Sequence, residues 1–244
     1  MRENLHSFDA AIIDLDGTMV DTMGDFVVAI NLMLGDLGYD AIDASIVALK
    51  VGKGSENLVN SVLNNALANN NIGLSAINKE ALLARAVGLY QQHYRRINGQ
   101  NAQVYPGVVA GLRAMQAAGL KLACLTNKPL AFANELLHLK GLAEYFSHAF
   151  GGDSFERKKP DPLPVIKTCL ALGSPPTRTL VVGDSSNDAQ AARAAGCPVV
   201  LVTYGYNHGL PIASAGADAT VNSLLELLPV LDLKIPNRAL VQFK

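Results

Sequence analysis

Two aspartates end the first apolar run of this 244-residue chain, in the segment IIDLDGTMV of residues 12–20. Side chains alternate between the two faces of a strand, so Asp14 and Asp16 point to one side and Leu15 to the other. Asp14 could act as a nucleophile and Asp16 as a general acid and base, if their environments keep their pKa values apart. Asp-Gly-Thr after a strand also forms an ordinary turn. This segment alone leaves both interpretations open.

Three further polar clusters follow later apolar runs of the sequence. Thr126 and Asn127 end LACLTN, where a hydroxyl and a backbone N–H could both donate to a phosphate oxygen. Lys159 lies in RKKPDP, a loop restricted by two prolines, and its ammonium could face an anion. Asp184 and Asp188 lie in VVGDSSND, and carboxylate oxygens of this kind suit Mg²⁺.

Each of these clusters also has a purely structural explanation. Thr126 and Asn127 could cap a helix, Lys159 could be a solvated loop charge, and Asp184 and Asp188 could complement a helix N-terminus. However, all the clusters fall at predicted strand ends, and open α/β sheets bind ligands outside the carboxyl ends of their strands. Their joint occurrence therefore favours one shared site.

Strands and helices alternate in the sequence that carries these clusters. Apolar runs without alternation predict strands buried on both faces, and apolar residues at helical spacing predict the helices between them. Such alternation indicates a doubly wound parallel sheet. The predicted strands are 10–14, 121–126, 148–150, 179–182 and 198–202, the predicted helices are 108–118, 130–139, 164–172 and 189–195, and weak elements are expected at 219–221 and 223–228.

A helical segment interrupts this alternation directly after the first strand. Residues 21–102 show apolar stripes at helical spacing and no strand pattern, which predicts a small, all-helical inserted domain. The fold class is thus α/β, with a core domain of residues 1–20 and 103–231. The tail, residues 232–244, has no pattern that we can interpret.

Composition narrows the possible classes of protein. The net charge of -1 gives no support for bulk attraction to nucleic acid or a membrane surface. The three cysteines lie far apart in apolar surroundings, which is typical of core residues in a reducing compartment. No apolar run reaches the length of a transmembrane helix or a secretory signal. We therefore expect a cytoplasmic monomer or homodimer that binds neither nucleic acid nor membrane.

Taken together, the motifs resemble those of a known family. DLDGT, LTN, KKPDP and GDSSND are similar, in this order, to the four signature motifs of the haloacid dehalogenase-like (HAD) hydrolase superfamily. The helical insertion resembles its cap domain, and the core its Rossmann-like domain. The segments VGKGSENLV, YPGV, TNKP and TYGYNHG are most similar to bacterial phosphoglycolate phosphatases.

The resemblance implies catalytic and metal-binding roles. Asp14 would attack phosphorus to form an aspartyl-phosphate, and Asp16 would act as acid and then as base. Mg²⁺ would be held by Asp14, the backbone carbonyl of Asp16, and Asp184, with Asp188 assisting directly or through water. Thr126 and Lys159 complete the predicted catalytic set, since both would bind the transferring phosphoryl group together with Asn127.

Substrate choice is expected to lie in the cap. Lys53 and Gly54, with Lys50 and Gly52, could reach over the phosphate site and contact a small carboxylate, although this segment could equally be a plain connection between helices. The predicted substrate- or phosphate-binding residues are thus Leu15, Asn127, Lys53 and Gly54.

The first functional hypothesis is a Mg²⁺-dependent phosphatase for a small phosphorylated metabolite, with 2-phosphoglycolate as the favoured substrate. The alternatives are a phosphatase for another small metabolite and a sugar-phosphate mutase of the β-phosphoglucomutase type, which would use the same Asp14 and Asp16. A phospho-accepting receiver module also combines aspartates, Thr and Lys on a parallel sheet. Its acceptor lies on a later strand and it has no helical cap, so the motif order disfavours it.

Overall fold

The computed structural model describes residues 8–70 and 75–230. The tail, residues 232–244, lies outside these residues. The strands are β1 (Ala10–Ile13), β2 (Val20–Asp21), β3 (Gln103–Val104), β4 (Lys121–Leu125), β5 (His148–Phe150), β6 (Thr179–Gly183), β7 (Val199–Val202) and β8 (Ala219–Val221). The helices are α1 (Met23–Asp36), α2 (Ala44–Ala48), α3 (Ser55–Asn69), α4 (Ala76–Ile97), α5 (Val108–Ala117), α6 (Leu130–Leu139), α7 (Leu163–Leu172), α8 (Ser186–Ala195) and α9 (Leu227–Val230).

Six strands form a parallel sheet in the order β5-β4-β1-β6-β7-β8. The first strand of the chain is therefore central, and the strand order reverses beside it. Ile13 is in register with Cys124 of β4 and with Val182 of β6. The residues that follow these three strands consequently emerge side by side at a switch point, where α/β sheets bind ligands.

Helices cover both faces of this sheet, which explains the apolar runs. Ala11 and Ile13 of β1 pack into a cluster with α5, α6 and α9, whereas Ala10 and Ile12 pack into a second cluster with α7 and α8. Because side chains alternate along a strand, one short strand contributes to both clusters. The predicted α/β, doubly wound fold is confirmed.

The four helices α1 to α4 lie between β2 and β3 and have an apolar cluster of their own. Its fully buried residues include Ile30, Met33, Val62, Leu63 and Tyr90. The strands β2 and β3, which the sequence did not predict, pair antiparallel where the chain leaves the sheet and returns. The predicted boundaries after residues 20 and 102 coincide with this pair, and the division into two domains stays a prediction.

Candidate active site

Three buried aspartates converge beyond the carboxyl ends of β1 and β6. One carboxylate oxygen from each of Asp14, Asp184 and Asp188 lies within 4.8 Å of the other two. Asp14 directly follows β1 and Asp184 directly follows β6, so the pairing of these neighbouring strands brings them together. Asp188 lies in the first turn of α8, which begins two residues after Asp184.

Glycines provide the space that Asp184 and Asp188 occupy. A Cβ atom on Gly205 would lie 2.2 Å from Asp184 Cβ, and one on Gly17 would lie 2.1 Å from Asp184 Oδ2. A Cβ on Gly183 would lie 2.3 Å from Asp188 Cγ. No side chain fits at such distances, so these three positions require glycine for close approach.

Lys159 lies among the carboxylates and is itself buried. Its Nζ atom is 2.9 Å from Asp14 Oδ1 and 2.6 Å from Asp188 Oδ1, and it donates to the carbonyl of Leu125 at 2.8 Å. Burial alone would lower the pKa of Lys159, but the attraction of Asp14 and Asp188 outweighs burial and raises its pKa above the ordinary value. The ammonium therefore stays charged beside Asp14.

One ammonium does not balance three buried carboxylates. Burial is the main reason that the pKa of Asp14 is raised to about 7; Lys159 opposes this rise, and repulsion from Asp188 and Asp16 adds to it. The pKa of Asp184 is also raised, first by burial and then by repulsion from Asp188 and Asp14. A cluster of hard oxygen atoms with excess negative charge fits a divalent cation such as Mg²⁺.

Asp188 both caps α8 and belongs to the carboxylate cluster, the two roles that the sequence left open. Its Oδ2 accepts hydrogen bonds from the backbone N–H of Ser185 at 3.2 Å and from the Ser185 hydroxyl at 2.7 Å, across the first turn of α8. Its Oδ1 meanwhile pairs with Lys159. Both oxygens of Asp188 therefore have protein partners.

Thr126 and Asn127 lie at the end of β4, beside β1. The Thr126 N–H donates to the carbonyl of Phe150 and its Oγ1 accepts from the Lys128 N–H, which leaves its hydroxyl proton for a ligand. The Asn127 Nδ2 atom donates to the carbonyls of Lys159 at 2.8 Å and Gly52 at 3.1 Å. Asn127 thus joins two loops of the site.

Asp16 has two partners on one oxygen. Its Oδ1 accepts from Thr22 Oγ1 and from Lys128 Nζ, each at 2.8 Å. Sequence reasoning missed Lys128, although it lies two residues after Thr126 in the TNKP segment. Leu15 is in the core, with its side chain fully buried, so only its backbone can face a ligand.

A cavity of about 40 Å³ lies between this cluster and the helical segment. On the sheet side it is bounded by the residues described above. On the helical side the lining is mainly apolar and aromatic, from Phe26, Val51, Leu58, Tyr90 and Tyr94, with Phe132 of α6 adjoining. The two sides therefore differ sharply in polarity.

The loop before α3 closes over this cavity. Its Gly52 carbonyl accepts from Asn127 and, at 3.2 Å, from Asn187 Nδ2. Gly52 and Gly54 line the cavity, whereas the Lys53 side chain is exposed and is not part of the lining. The predicted substrate role of Lys53 gains no support from this placement and stays a prediction.

Tyr206 connects the aspartate cluster with the start of the helical segment, and sequence reasoning did not assign it a role. Its backbone N–H donates to Asp184 Oδ2 at 2.5 Å. Its hydroxyl accepts from the N–H groups of Thr22 at 2.9 Å and Met23 at 3.1 Å and contacts Asp21. Tyr206 lies in the TYGYNHG segment, which the sequence analysis used only as part of the family resemblance.

Fold and site define a doubly wound α/β enzyme with an acidic cluster and a buried lysine at the carboxyl ends of its strands. The family model of the haloacid dehalogenase-like hydrolases matches residues 8–196. The plasmid phosphoglycolate phosphatase of Cupriavidus necator is 45% identical over 222 residues, 91% of this chain and 92% of that protein. The phosphoglycolate phosphatase of Thiobacillus denitrificans is 42% identical over 217 residues, 89% of this chain and 92% of that protein.

A crystal structure of a predicted phosphoglycolate phosphatase from Haemophilus somnus has the same fold. It matches with a TM-score of 0.87 at 31% identity, over 92% of this chain and 98% of that one. The chain belongs to the haloacid dehalogenase-like hydrolase family. It is a phosphoric monoester hydrolase of the phosphoglycolate phosphatase-like type. Across the described ranges, no helix combines the length and apolarity needed to cross a membrane.

Proposed function

We propose that this enzyme hydrolyses 2-phosphoglycolate to glycolate and phosphate, with Mg²⁺ as cofactor and an aspartyl-phosphate on Asp14 as intermediate. The observation that carries the reaction type is the buried Asp14 carboxylate, held between Lys159 and the two aspartates of α8 and its preceding loop. The substrate is proposed from relatives named phosphoglycolate phosphatase that are 42% and 45% identical to this chain.

In the first step, an Asp14 oxygen attacks phosphorus while the bond from phosphorus to the ester oxygen breaks. Asp16 donates a proton to that leaving oxygen, which departs as the alcohol. In the second step, Asp16 takes a proton from water, the water oxygen attacks phosphorus, and Asp14 is released as a carboxylate. Asp16 thus returns to its protonated state at the end of the cycle.

Charge on the transferring group is stabilised by fixed donors. Lys159 contacts Asp14, and Thr126 lines the same cavity as both of them. Donors that are already oriented need no rearrangement as charge develops, which is why such groups contribute strongly to catalysis.

The acidic cluster fits the proposed Mg²⁺. Asp14, Asp184 and the backbone carbonyl of Asp16 would hold the ion, which would neutralise negative charge on phosphate oxygens. Because both Asp188 oxygens are engaged by Ser185 and Lys159, we place Asp188 in support of the cluster rather than on the ion. Its contact would then run through water.

The helical side of the cavity favours a small substrate over a sugar phosphate. A hexose carries several hydroxyl groups that need hydrogen-bond partners when buried. Phe26, Val51, Leu58 and Phe132 offer none from their side chains, and the hydroxyl groups of Ser55, Tyr90 and Tyr94 are the few polar side-chain groups on this side of the cavity. The mutase alternative is therefore less well supported.

Phosphate release from 2-phosphoglycolate, β-glucose 1-phosphate and other small esters, each with Mg²⁺ or EDTA, tests this proposal. We expect release that needs Mg²⁺ and is fastest with 2-phosphoglycolate. If another ester releases phosphate fastest, the proposed substrate is wrong. If the enzyme is fully active in EDTA, the proposed requirement for Mg²⁺ is wrong. The cytoplasmic location and the choice between monomer and homodimer stay predictions from the sequence.

A further inference from the structure

The residue of interest is Lys128, a buried lysine that the proposed reaction does not use. It lies in the loop after β4 and is 5% exposed. Its Nζ atom is 2.8 Å from Asp16 Oδ1. The same atom lies 4.7 Å from the ring centroid of Phe26 and 4.8 Å from that of Tyr94.

Lys128 and Lys159 are the two lysines that line the cavity, and their surroundings differ. Lys159 has three oxygen neighbours, from Asp14, Asp188 and the Leu125 carbonyl. Within residues 8–70 and 75–230, Asp16 is the one oxygen partner that Lys128 Nζ has. An ammonium has three N–H donors, so Lys128 can bind an additional anion.

Tyr94, whose ring lies beside Lys128 Nζ, carries a second buried polar group. Tyr94 is 1% exposed, lines the cavity, and its hydroxyl makes no hydrogen bond to any described residue. A buried polar group that lacks a partner in the free protein calls for an explanation, and a ligand that supplies the partner is one. Lys128 and Tyr94 both line the cavity, whose helical side is otherwise largely apolar.

The position of Lys128 relative to Asp16 limits what the anion can be. In the proposed reaction Asp16 protonates the ester oxygen, and Lys128 contacts that same Asp16 carboxylate. An anion that reaches Lys128 must therefore lie only a few bonds beyond the ester oxygen. The carboxylate of a short 2-hydroxy acid meets this condition, whereas a neutral alcohol leaves both Lys128 and Tyr94 without a ligand partner.

We propose that Lys128, assisted by the Tyr94 hydroxyl, binds the carboxylate of the leaving group and selects phosphate esters of short 2-hydroxy acids. This inference rests on the proposed phosphatase function and assigns the specificity to the loop after β4 rather than to Lys53. Because Lys128 also contacts Asp16, its loss affects every substrate to some extent. The carboxylate role is the part that depends on the substrate.

The test compares two esters that differ only at the anion, 2-phosphoglycolate and 2-hydroxyethyl phosphate. We measure kcat and KM for both with the wild-type enzyme, Lys128→Met and Tyr94→Phe. The control is Lys167→Met, which removes the same charge from an exposed position in α7. We expect Lys128→Met to reduce the wild-type preference for 2-phosphoglycolate at least about tenfold, the range for a charged hydrogen bond, with a smaller reduction for Tyr94→Phe.

Equal losses on both esters in Lys128→Met would overturn the inference, because they would reduce Lys128 to a positioning residue for Asp16. If Lys128→Met does not fold, Lys128→Gln is judged by the same ratio. A wild-type enzyme that hydrolyses both esters equally well would contradict the proposed substrate itself. A wild-type preference that Lys128→Met retains would contradict only the role of Lys128.

Discussion

The two sides of the cavity are built on different principles. The sheet side consists of polar and charged groups that follow β1, β4, β5 and β6, with Lys159 between Asp14 and Asp188. The helical side consists of aromatic and aliphatic side chains that belong to the apolar cluster of α1, α3 and α4. Lys128 lies where they meet, paired with Asp16 and packed against Phe26 and Tyr94.

This contrast suggests that the sheet side carries out the reaction and the helical side selects the substrate. Reaction chemistry needs charges held rigidly, and the ends of strands in a packed sheet hold them best. Exclusion of water and selection of a leaving group need a surface that closes, which loops and helices outside the sheet can provide. Changes on the sheet side should therefore affect every substrate, and changes near Lys128 should affect substrates selectively.

The largest effect is expected from Asp14→Asn. Removing the proposed nucleophile should lower kcat by at least about 10⁴-fold on every ester, as for nucleophiles in other hydrolases. Phosphate release under saturating substrate measures it. Asp40→Asn, an exposed aspartate of the helical segment, should retain wild-type activity. Comparable losses in both variants would contradict the assignment of Asp14.

The next largest effect is expected from Lys159→Met, which removes the proposed preoriented donor to the phosphoryl group and should lower activity by about 10²–10³-fold. The same change leaves two buried carboxylates without their cation and should lower the free energy of unfolding by about 3–5 kcal/mol. Urea unfolding measures the second effect. Lys158→Met, at the exposed neighbouring position, is the control, and equal destabilisation of the two would count against the buried ion pairs.

Gly205→Ala tests how closely the sheet side is packed. An added methyl group would overlap Asp184 and the Gly17 carbonyl and displace that carboxylate, so activity should fall by about 10²-fold, the scale of a 1 Å misplacement. Gly88→Ala, in α4 with no atom within 4 Å of the new methyl, should keep activity and stabilise the helix by about 0.5–1 kcal/mol. Unchanged kinetics in Gly205→Ala would show that the cluster tolerates movement.

The smallest effect is a pH dependence of stability in the metal-free protein. The pKa of Asp14 is about 7 in the folded state against 3.8 for an ordinary aspartate, so between about pH 4 and pH 7 the folded state holds a proton that the unfolded state has released. The free energy of unfolding should therefore fall as pH rises through this window. Thermal unfolding in EDTA from pH 5 to 8 measures the fall, and Asp14→Asn should weaken it. An equal slope in the variant would contradict the role of Asp14.

Most site residues on the sheet side could be predicted from the sequence, because they directly follow strands that the apolar pattern indicates. Asp14, Thr126 and Asp184 could be placed once the strands were assigned, since parallel strands share one carboxyl edge. The predicted helix begins at residue 189, whereas α8 begins at Ser186, because the polar side chains of Ser185 and Asp188 cap this helix.

The helical side could not be predicted because its residues look like ordinary core. Tyr90 and Tyr94 have helical spacing and pack with Phe26 and Phe132, and nothing in that pattern marks a cavity wall. The role of Lys128 depends on a contact with Asp16 across 112 positions of sequence. Tyr206 likewise reaches α1 from the loop after β7, and such contacts exist only once the chain has folded.

The central claim is that the sheet side carries the reaction through a covalent bond to Asp14. The most direct measurement is to quench the enzyme during turnover of 2-phosphoglycolate with Mg²⁺, reduce acyl phosphates with borohydride, and locate the modified residue by peptide mass spectrometry. Asp16→Asn, in which release of the phosphoryl group should be slowed, is analysed in parallel. The account predicts conversion of Asp14 to homoserine. Modification of a different residue, or turnover with none modified in either protein, would contradict it.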